Sequence, residues 1–314
     1  MNVVVTGATS FIGAAAVNKL LKAQHKVTAV VRPGSANLKY LYDRTAGTKR
    51  EALTVVRLDL ADIEALDTGS EPVDVWLHIG WDGAGSNNRK NREIQQDNIR
   101  HSLKAVRAAA GAGCRRFIFT GSQAEYGIHH EPLTEDTPAC PVSEYGRAKR
   151  EFGQQAEVLC KQLNMEYIHT RIFSIYGPGD HPWSLIQTCL STWQQGGEML
   201  LGQCTQSWNF LYIGDMVLAL LHLLTEGTSG VYNIASEDTR ILREYIKALY
   251  SLCGSRGSYV FGQRAPNAEG QGDLIPDISR IQKETAWRPA TSFTEGIYET
   301  LHCMRDKTAG TNFI

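Results

Sequence analysis

Thr6-Gly7-Ala8-Thr9-Ser10-Phe11-Ile12-Gly13 decides the fold, because it follows the β-branched run Val3-Val4-Val5 and opens a helical pattern that continues to about Ala23. In a turn from strand to helix, Gly7 supplies the tight bend and Gly13 lets the helix pack closely on the strand. The helix N-terminus then presents unpaired N–H groups and the positive end of its dipole to a diphosphate. Ser10 stands where such turns usually carry glycine, so a Cβ has to fit beside the phosphates, and its hydroxyl is available as a donor. The turn is therefore expected to bind a dinucleotide through Gly7, Ser10, Phe11, Ile12 and Gly13.

Outward from this turn, β-branched runs recur at Val27 to Val31, Leu53 to Leu58, Val73 to Ile79, Phe117 to Thr120 and Tyr167 to Ile172, with helical patterns between them. Strands alternating with helices imply an α/β fold, a Rossmann-type doubly wound parallel sheet covered on both faces. Residues 1–175 are expected to form the dinucleotide-binding domain. Residues 176–314, more irregular and punctuated by Pro178, Gly179, Pro182, Gly196 and Gly197, form a smaller substrate-binding region, with segments near 208–235 returning to the first domain. The polar stretches Gly34 to Ala52 and Gly80 to Glu93 each follow a sheet strand, where open parallel sheets bind their ligands. Ile99, Leu103, Val106 and Ala110, and again Phe152, Ala156, Leu159 and Leu163, form helical apolar stripes that suit either the sheet or a homodimer interface.

Dinucleotide folds commonly end the second strand on a carboxylate that accepts the adenosine ribose hydroxyl. Here the segment reads Thr28-Ala29-Val30-Val31-Arg32-Pro33-Gly34-Ser35 and has none. Arg32, with Ser35 behind it and Lys39 nearby, suits a 2′-phosphate instead, so NADP(H) is favoured over NAD(H). Asp59, followed by Leu60, is placed after the third strand to meet the adenine.

With 32 basic and 33 acidic side chains the formal charge is −1, which provides no single-signed field for nucleic acid or an anionic membrane. The composition, 42% hydrophobic and 21% charged, excludes disorder, collagen and coiled coil. The seven cysteines are scattered without Cys-x-x-Cys spacing, so reduced thiols are expected and no metal site. The chain opens Met1-Asn2 directly into the first strand, without a leader pattern or a spanning apolar run, and a cytoplasmic location is expected.

Ser143-Glu144-Tyr145-Gly146-Arg147-Ala148-Lys149 opens the helix that carries the Phe152 stripe. Residues four apart share a face, so the Lys149 ammonium lies near the Tyr145 phenol and favours its phenolate, making it a usable acid and base. Phe117-Ile118-Phe119-Thr120-Gly121-Ser122 puts a hydroxyl at the end of a central strand, in reach of the oxygen that is reduced or oxidised.

With these features the chain resembles the extended short-chain dehydrogenases/reductases, the group that includes UDP-glucose 4-epimerase and sugar-nucleotide dehydratases and reductases. The resemblance covers nearly the whole length: Thr6 to Gly13, Asp59-Leu60, His78-Ile79-Gly80, Asn98, Ser122 with Tyr126-Gly127, Tyr145 to Lys149, Arg171 with Tyr176 to Gly179, Tyr212 to Asp215, Tyr232-Asn233 and Trp287-Arg288-Pro289. It implies that Ser122 and Tyr145 handle the substrate oxygen and its proton, that Lys149 binds the nicotinamide ribose, and that Asn98 belongs to the cofactor site.

Departures from the family pattern narrow the chemistry. Dehydratases carry Thr-Asp-Glu where this chain has Ser122-Gln123-Ala124, which argues against elimination of water. Three positions that grip a nucleotide diphosphate also differ: Ser174 replaces asparagine, Trp208 replaces arginine, and Gly270 replaces an arginine ahead of Gln271-Gly272-Asp273. Gln123, Ser174, Trp208 and Arg264 are the candidate substrate contacts, with Arg147, Arg280 and His181 as alternative anion-binding groups and Trp183 as a stacking surface. A net NADP(H)-dependent reductase or dehydrogenase acting on a sugar or nucleotide sugar is the leading expectation. An epimerase with retained cofactor follows, and a non-catalytic dinucleotide sensor comes last because Tyr145 and Lys149 are both present.

Overall fold

The computed structural model describes residues 1–85, 88–265 and 272–309. Its elements in chain order are β1 (Asn2–Thr6), α1 (Phe11–Lys22), β2 (Lys26–Val31), α2 (Leu38–Thr45), β3 (Leu53–Arg57), β4 (Val75–His78), α3 (Arg92–Gly111), β5 (Arg116–Thr120), α4 (Glu144–Gln162), β6 (Glu166–Ile172), β7 (Ser174–Tyr176), α5 (Leu185–Gln194), β8 (Glu198–Leu200), β9 (Ser207–Tyr212), α6 (Ile213–Thr225), β10 (Gly230–Ile234), β11 (Thr239–Ile241), α7 (Leu242–Leu252), β12 (Ser258–Val260), α8 (Ser279–Glu284) and α9 (Phe293–Ala309).

Seven strands form one parallel sheet in the order β10-β6-β5-β4-β1-β2-β3, and each expected strand run falls within it. Because alternate residues of a strand face opposite ways, Val3 and Val5 join the core on one side while Val4 joins the other. Both sides are apolar because helices cover both, α1 and α6 on one and α3 and α4 on the other. Of the two apolar stripes, Ile99, Val106, Phe152 and Ala156 are buried in this core, whereas Leu163 at the end of α4 is exposed.

The chain leaves the large sheet after Ile172. β7 and β9 pair with each other and β9 with β11 in a small three-stranded sheet, and β8 pairs with β12. Within the segment near 208–235, β9 belongs to the small sheet, α6 packs on α1, and β10 joins the large sheet beside β6. An aromatic core of Tyr176, Trp193, Phe210, Tyr245 and Phe293 holds the smaller region together. Two bonds between family landmarks tie distant segments: the Tyr126 hydroxyl lies 2.6 Å from Asn233 Oδ1, and Trp287 Nε1 donates to the Asp215 carbonyl at 2.9 Å. Among the described residues no helix is long and apolar enough to cross a membrane.

Candidate active site

Strand order reverses between β1 and β4, and the site is built at their carboxyl ends. Gly7 has φ +66°, and a Cβ on it would lie 2.7 Å from the Gly80 backbone, so the turns after β1 and β4 touch. A Cβ on Gly13 would lie 2.1 Å from the Gly7 carbonyl oxygen, which is the close helix-to-strand approach the sequence implies. Ser10 caps α1 by accepting from Gly13 N at 3.0 Å, and the first turn of α1 holds no acidic residue, so the positive helix end remains uncancelled. Thr6 Oγ1 accepts from the backbone N–H groups of Ile79 and Gly80 at 3.2 and 3.3 Å and fixes the second turn. His78, with ring nitrogens 2.9 Å from Thr6 Oγ1 and 2.9 Å from Ser102 Oγ, is pushed by burial down to about 3 and stays neutral.

A cavity of about 360 Å³ follows from this turn, lined by Gly7, Ser10, Arg32, Ser35, Asp59, Leu60 and Asn98 together with Asp82 and His101. Ser35 Oγ lies 3.1 Å from Thr9 Oγ1, and the Arg32 guanidinium reaches Asp82 at 3.6 Å across the cavity mouth. That ion pair is solvent-exposed at both ends and therefore weak. Lys39 is engaged elsewhere, on Asp43 of its own helix. Asp59 caps the short turn after β3 by accepting from Ala61 N at 3.0 Å. Asn98 clasps the Asp82 main chain, accepting from its N–H and donating to its carbonyl, both at 2.8 Å.

A larger cleft of about 840 Å³ shares Ser10, Arg32, Trp81 and Asp82 with the first cavity, and adds Phe11, Ile12, Ser122, Tyr145 and Lys149. Phe11 and Ile12 thus stand at the helix N-terminus that faces both spaces. Ser122 ends the turn after β5, where its hydroxyl accepts from Ala124 N at 3.2 Å. Glu125 holds that turn from beneath: its Oε1 accepts from Ser122 N at 2.8 Å and lies 3.0 Å from His169 Nε2, while Arg171 Nε stands 3.5 Å from Oε2. Burial of Glu125 opposes its charge, but His169 and Arg171 hold the carboxyl below its ordinary range. Glu125→Ala, which leaves this buried network unpaired, is expected to cost about 3–5 kcal/mol, read as a lower thermal unfolding midpoint. An unchanged midpoint would refute the network's role.

Tyr145 is buried one turn from Lys149, whose Nζ lies 5.7 Å from the phenol ring. Lys149 donates to the Thr120 carbonyl at 2.8 Å and sits 4.1 Å from the Trp81 ring centre and 4.6 Å from that of Phe119. Burial pushes its ammonium down to about 7, with Glu125 opposing the shift and Arg89 adding to it. The Arg89 guanidinium lies over the Tyr145 ring at 4.2 Å.

The four residues expected at the substrate lie on a short turn, two strands and a loop. Gln123 starts the short 3-10 turn of residues 123–125, Ser174 is half-buried in β7 between Phe173 and Ile175, and Trp208 lies in β9 against the aromatic core. Arg264 is exposed, its N–H bonded to the Leu201 carbonyl. None of the four is among the described residues lining either cavity, although Phe173 and Ile175 are. Gly270 and Gln271 lie outside the described residues. Among the alternative anion-binding groups, Arg147 pairs with Glu144 and Arg280 with Glu284, whereas His181 lines both cavities and stacks on Trp183 at 4.3 Å.

Sequence reasoning missed Trp81, Asp82, Arg89 and Asp180. The first three lie in the polar stretch after β4, and their signal was position at a strand's carboxyl end; nothing singled them out by residue type. Asp180, in the cleft wall, is pushed by burial up to about 6.

A glycine turn, a strand-end serine and a tyrosine-lysine pair on one rim define a dinucleotide-dependent enzyme fold of the extended short-chain type. The chain belongs to the NAD dependent epimerase/dehydratase family, whose profile matches residues 3–235. A curated relative, UDP-N-acetyl-alpha-D-glucosaminuronate decarboxylase of Bacillus cytotoxicus, is 25% identical over 321 residues, covering 96% of this chain and 97% of that protein. The dTDP-glucose 4,6-dehydratase of Streptomyces antibioticus is also 25% identical, over 98% of this chain and 94% of its own length. The solved structure of UDP-glucuronic acid 4-epimerase from Bacillus cereus, in complex with UDP-glucuronic acid and NAD, matches with a TM-score of 0.84 at 22% identity, covering 98% of this chain and all (100%) of that one.

Proposed function

We propose that the chain is an oxidoreductase that reduces a keto carbon, or oxidises the corresponding hydroxyl, of a sugar or nucleotide sugar, with NADP(H) as its preferred cofactor. The observation that carries this reading is that Ser122, Tyr145 and Lys149 line the same cleft as the N-terminus of α1. Gly7, Gly13, Ser10, Phe11 and Ile12 fit a dinucleotide diphosphate, because added side-chain volume at the glycines would fill the turn and nothing acidic opposes an anion there. When bound, the nicotinamide supplies hydride chemistry. The chain's own part is at the substrate oxygen: the Ser122 hydroxyl hydrogen-bonds it, and Tyr145 delivers a proton in reduction or removes one in oxidation. Lys149, held by Thr120 O and Trp81, offers its remaining N–H groups to the cleft.

NADP(H) preference is supported by Arg32, Ser35 and Thr9 at the edge of the smaller cavity and by the absence of a carboxylate at the end of β2. Arg32 gives up only a weak exposed contact with Asp82 to meet a phosphate. Arg32→Ala is expected to weaken NADPH binding by about 1.5–3 kcal/mol, roughly 10- to 100-fold, while NADH binding changes little. Equal losses for both cofactors, measured by fluorescence titration, would overturn the assignment.

A second reading, epimerisation with a retained cofactor, is favoured by the family relation and by the NAD-containing Bacillus cereus epimerase. Protein that purifies with bound dinucleotide and interconverts two sugars without net NADPH consumption would select it. Protein that purifies empty and oxidises NADPH with a keto-sugar would select the reductase. Against loss of water, the carboxylate that follows Ser122-Gln123-Ala124 in the chain is Glu125, which is fully buried and already bonded to Ser122 N and His169. The Streptomyces antibioticus relative is itself a dehydratase; a product lighter by one water in mass spectrometry would place this chain with it.

A further inference from the structure

We propose that Arg89 is a positioning residue for catalysis: its guanidinium, laid on the face of the Tyr145 ring, favours the phenolate form of that tyrosine alongside Lys149. This rests on Tyr145 being the acid and base of the proposed function.

Two contacts bind Arg89 to Tyr145. The guanidinium carbon lies 4.2 Å from the ring centre, and the Arg89 carbonyl accepts from the Tyr145 backbone N–H at 2.9 Å. The second contact anchors the loop to the first turn of α4, so the side chain starts from a fixed point. Tyr145 is only 8% exposed, and a charge beside it acts through a medium less screening than water. A cation on an aromatic face is attracted by the ring quadrupole, and the attraction grows when the ring carries a negative oxygen.

Lys149 is less free to do this than its spacing suggests. Its Nζ donates to Thr120 O, faces Trp81 and Phe119, and is farther from the Tyr145 ring than the Arg89 guanidinium is, at 5.7 Å against 4.2 Å. Burial holds the ammonium down to about 7, so its charge fades as the pH rises through neutrality, whereas a guanidinium keeps its charge throughout. The charged and titratable groups near this pair include His78 at the end of β4, neutral through burial, Glu125 below the Ser122 turn, tied to His169, the exposed Arg32–Asp82 pair across the cleft, and Asp180 and His181 in the cleft wall. Arg89 and Lys149 both face the Tyr145 ring.

A cation beside a phenolate lowers the pH at which the phenol ionises, so removing it moves that midpoint upward. The test is an NMR titration of protein with ring-¹³C tyrosine, without cofactor, in which Tyr145→Phe identifies the Tyr145 signal. Arg89→Gln is expected to raise the Tyr145 midpoint by about one pH unit, a roughly tenfold loss of phenolate below it, and to move the acid limb of the oxidation rate profile the same way. Arg89→Lys is expected to fall between the two. Arg89→Met, which keeps the apolar stem over the ring, takes the place of Arg89→Gln if the latter does not fold. A midpoint unmoved in the folded variant, with activity lowered equally at every pH, would mean that Arg89 serves only the loop, and the proposal fails. The titration needs no turnover, so it is separable from the proposed function, which falls if Tyr145→Phe remains fully active.

Discussion

Tyr145→Phe is expected to lower turnover by about 10³-fold, within the 10²- to 10⁴-fold that positioned proton transfer contributes, while the affinity for the dinucleotide stays nearly unchanged. The phenol lies in the wall of the larger cleft, with Ser122 in the same wall and Lys149 one helical turn on. Phenylalanine keeps the ring, and with it the contacts to Arg89 at 4.2 Å and to Trp81 at 6.5 Å. It removes only the hydroxyl, the group proposed to exchange a proton with the substrate oxygen. The loss should therefore appear in kcat, with thermal midpoint and NADPH titration both close to those of the unmodified protein. A fully active variant would end the case for hydride chemistry assisted by this residue, and a variant that lost cofactor binding instead would assign Tyr145 to the cofactor.

Gly13→Ala should act earlier, on the fold of the turn itself. The new Cβ would sit 2.1 Å from the Gly7 carbonyl oxygen and 2.9 Å from Ala8 Cα, and both neighbours are backbone. Neither can rotate away as a side chain would, so α1 must move off β1, at about 3 kcal/mol on the scale of overpacked cores. That movement also carries Ser10, Phe11 and Ile12 out of register with the diphosphate. Reduced stability is expected together with dinucleotide affinity reduced about 100-fold or more, the equivalent of ~2.7 kcal/mol or more. Gly111→Ala is the control, since nothing lies within 4 Å of the Cβ it would add near the end of α3. Equal behaviour of the two variants, by thermal unfolding and fluorescence titration, would show that the close approach at Gly13 is not needed.

Several features were legible because they are local. The turn from Thr6 to Gly13, the β-branched runs of the sheet, and the pairing of Tyr145 with Lys149 each depend on residues within one turn or one strand of each other. Backbone geometry converts such spacing directly into position. That the residues proposed for the cofactor line one cavity has a related reason: Arg32, Ser35, Asp59 and Leu60 all follow strand ends, and parallel strands deliver their carboxyl ends to one rim. Asn98 was placed at this rim by resemblance, yet its side chain reaches the Asp82 main chain and shapes the cavity wall by that route.

On the substrate side Gln123, Ser174 and Trp208 were read from family positions and Arg264 as a replacement guanidinium, and none of the four is among the described residues that line the cleft. The cleft wall there is built partly by loops whose conformation no periodicity encodes, which is why Trp81 and Asp180 emerged only with the fold.

By itself the amino-acid sequence determined the doubly wound sheet, the glycine turn and the placing of Tyr145 one helical turn from Lys149, because all three follow from short-range spacing and the two-faced burial of strands. Only the tertiary structure decided which groups surround that pair. Glu125 meets His169 and Arg171 across 44 and 46 positions of chain, and Lys149 meets Trp81 across 68 positions. Arg89 meets Tyr145 across 56. Such contacts depend on where β4, β5 and α4 come to rest on one another, and burial then sets the charge that each group carries.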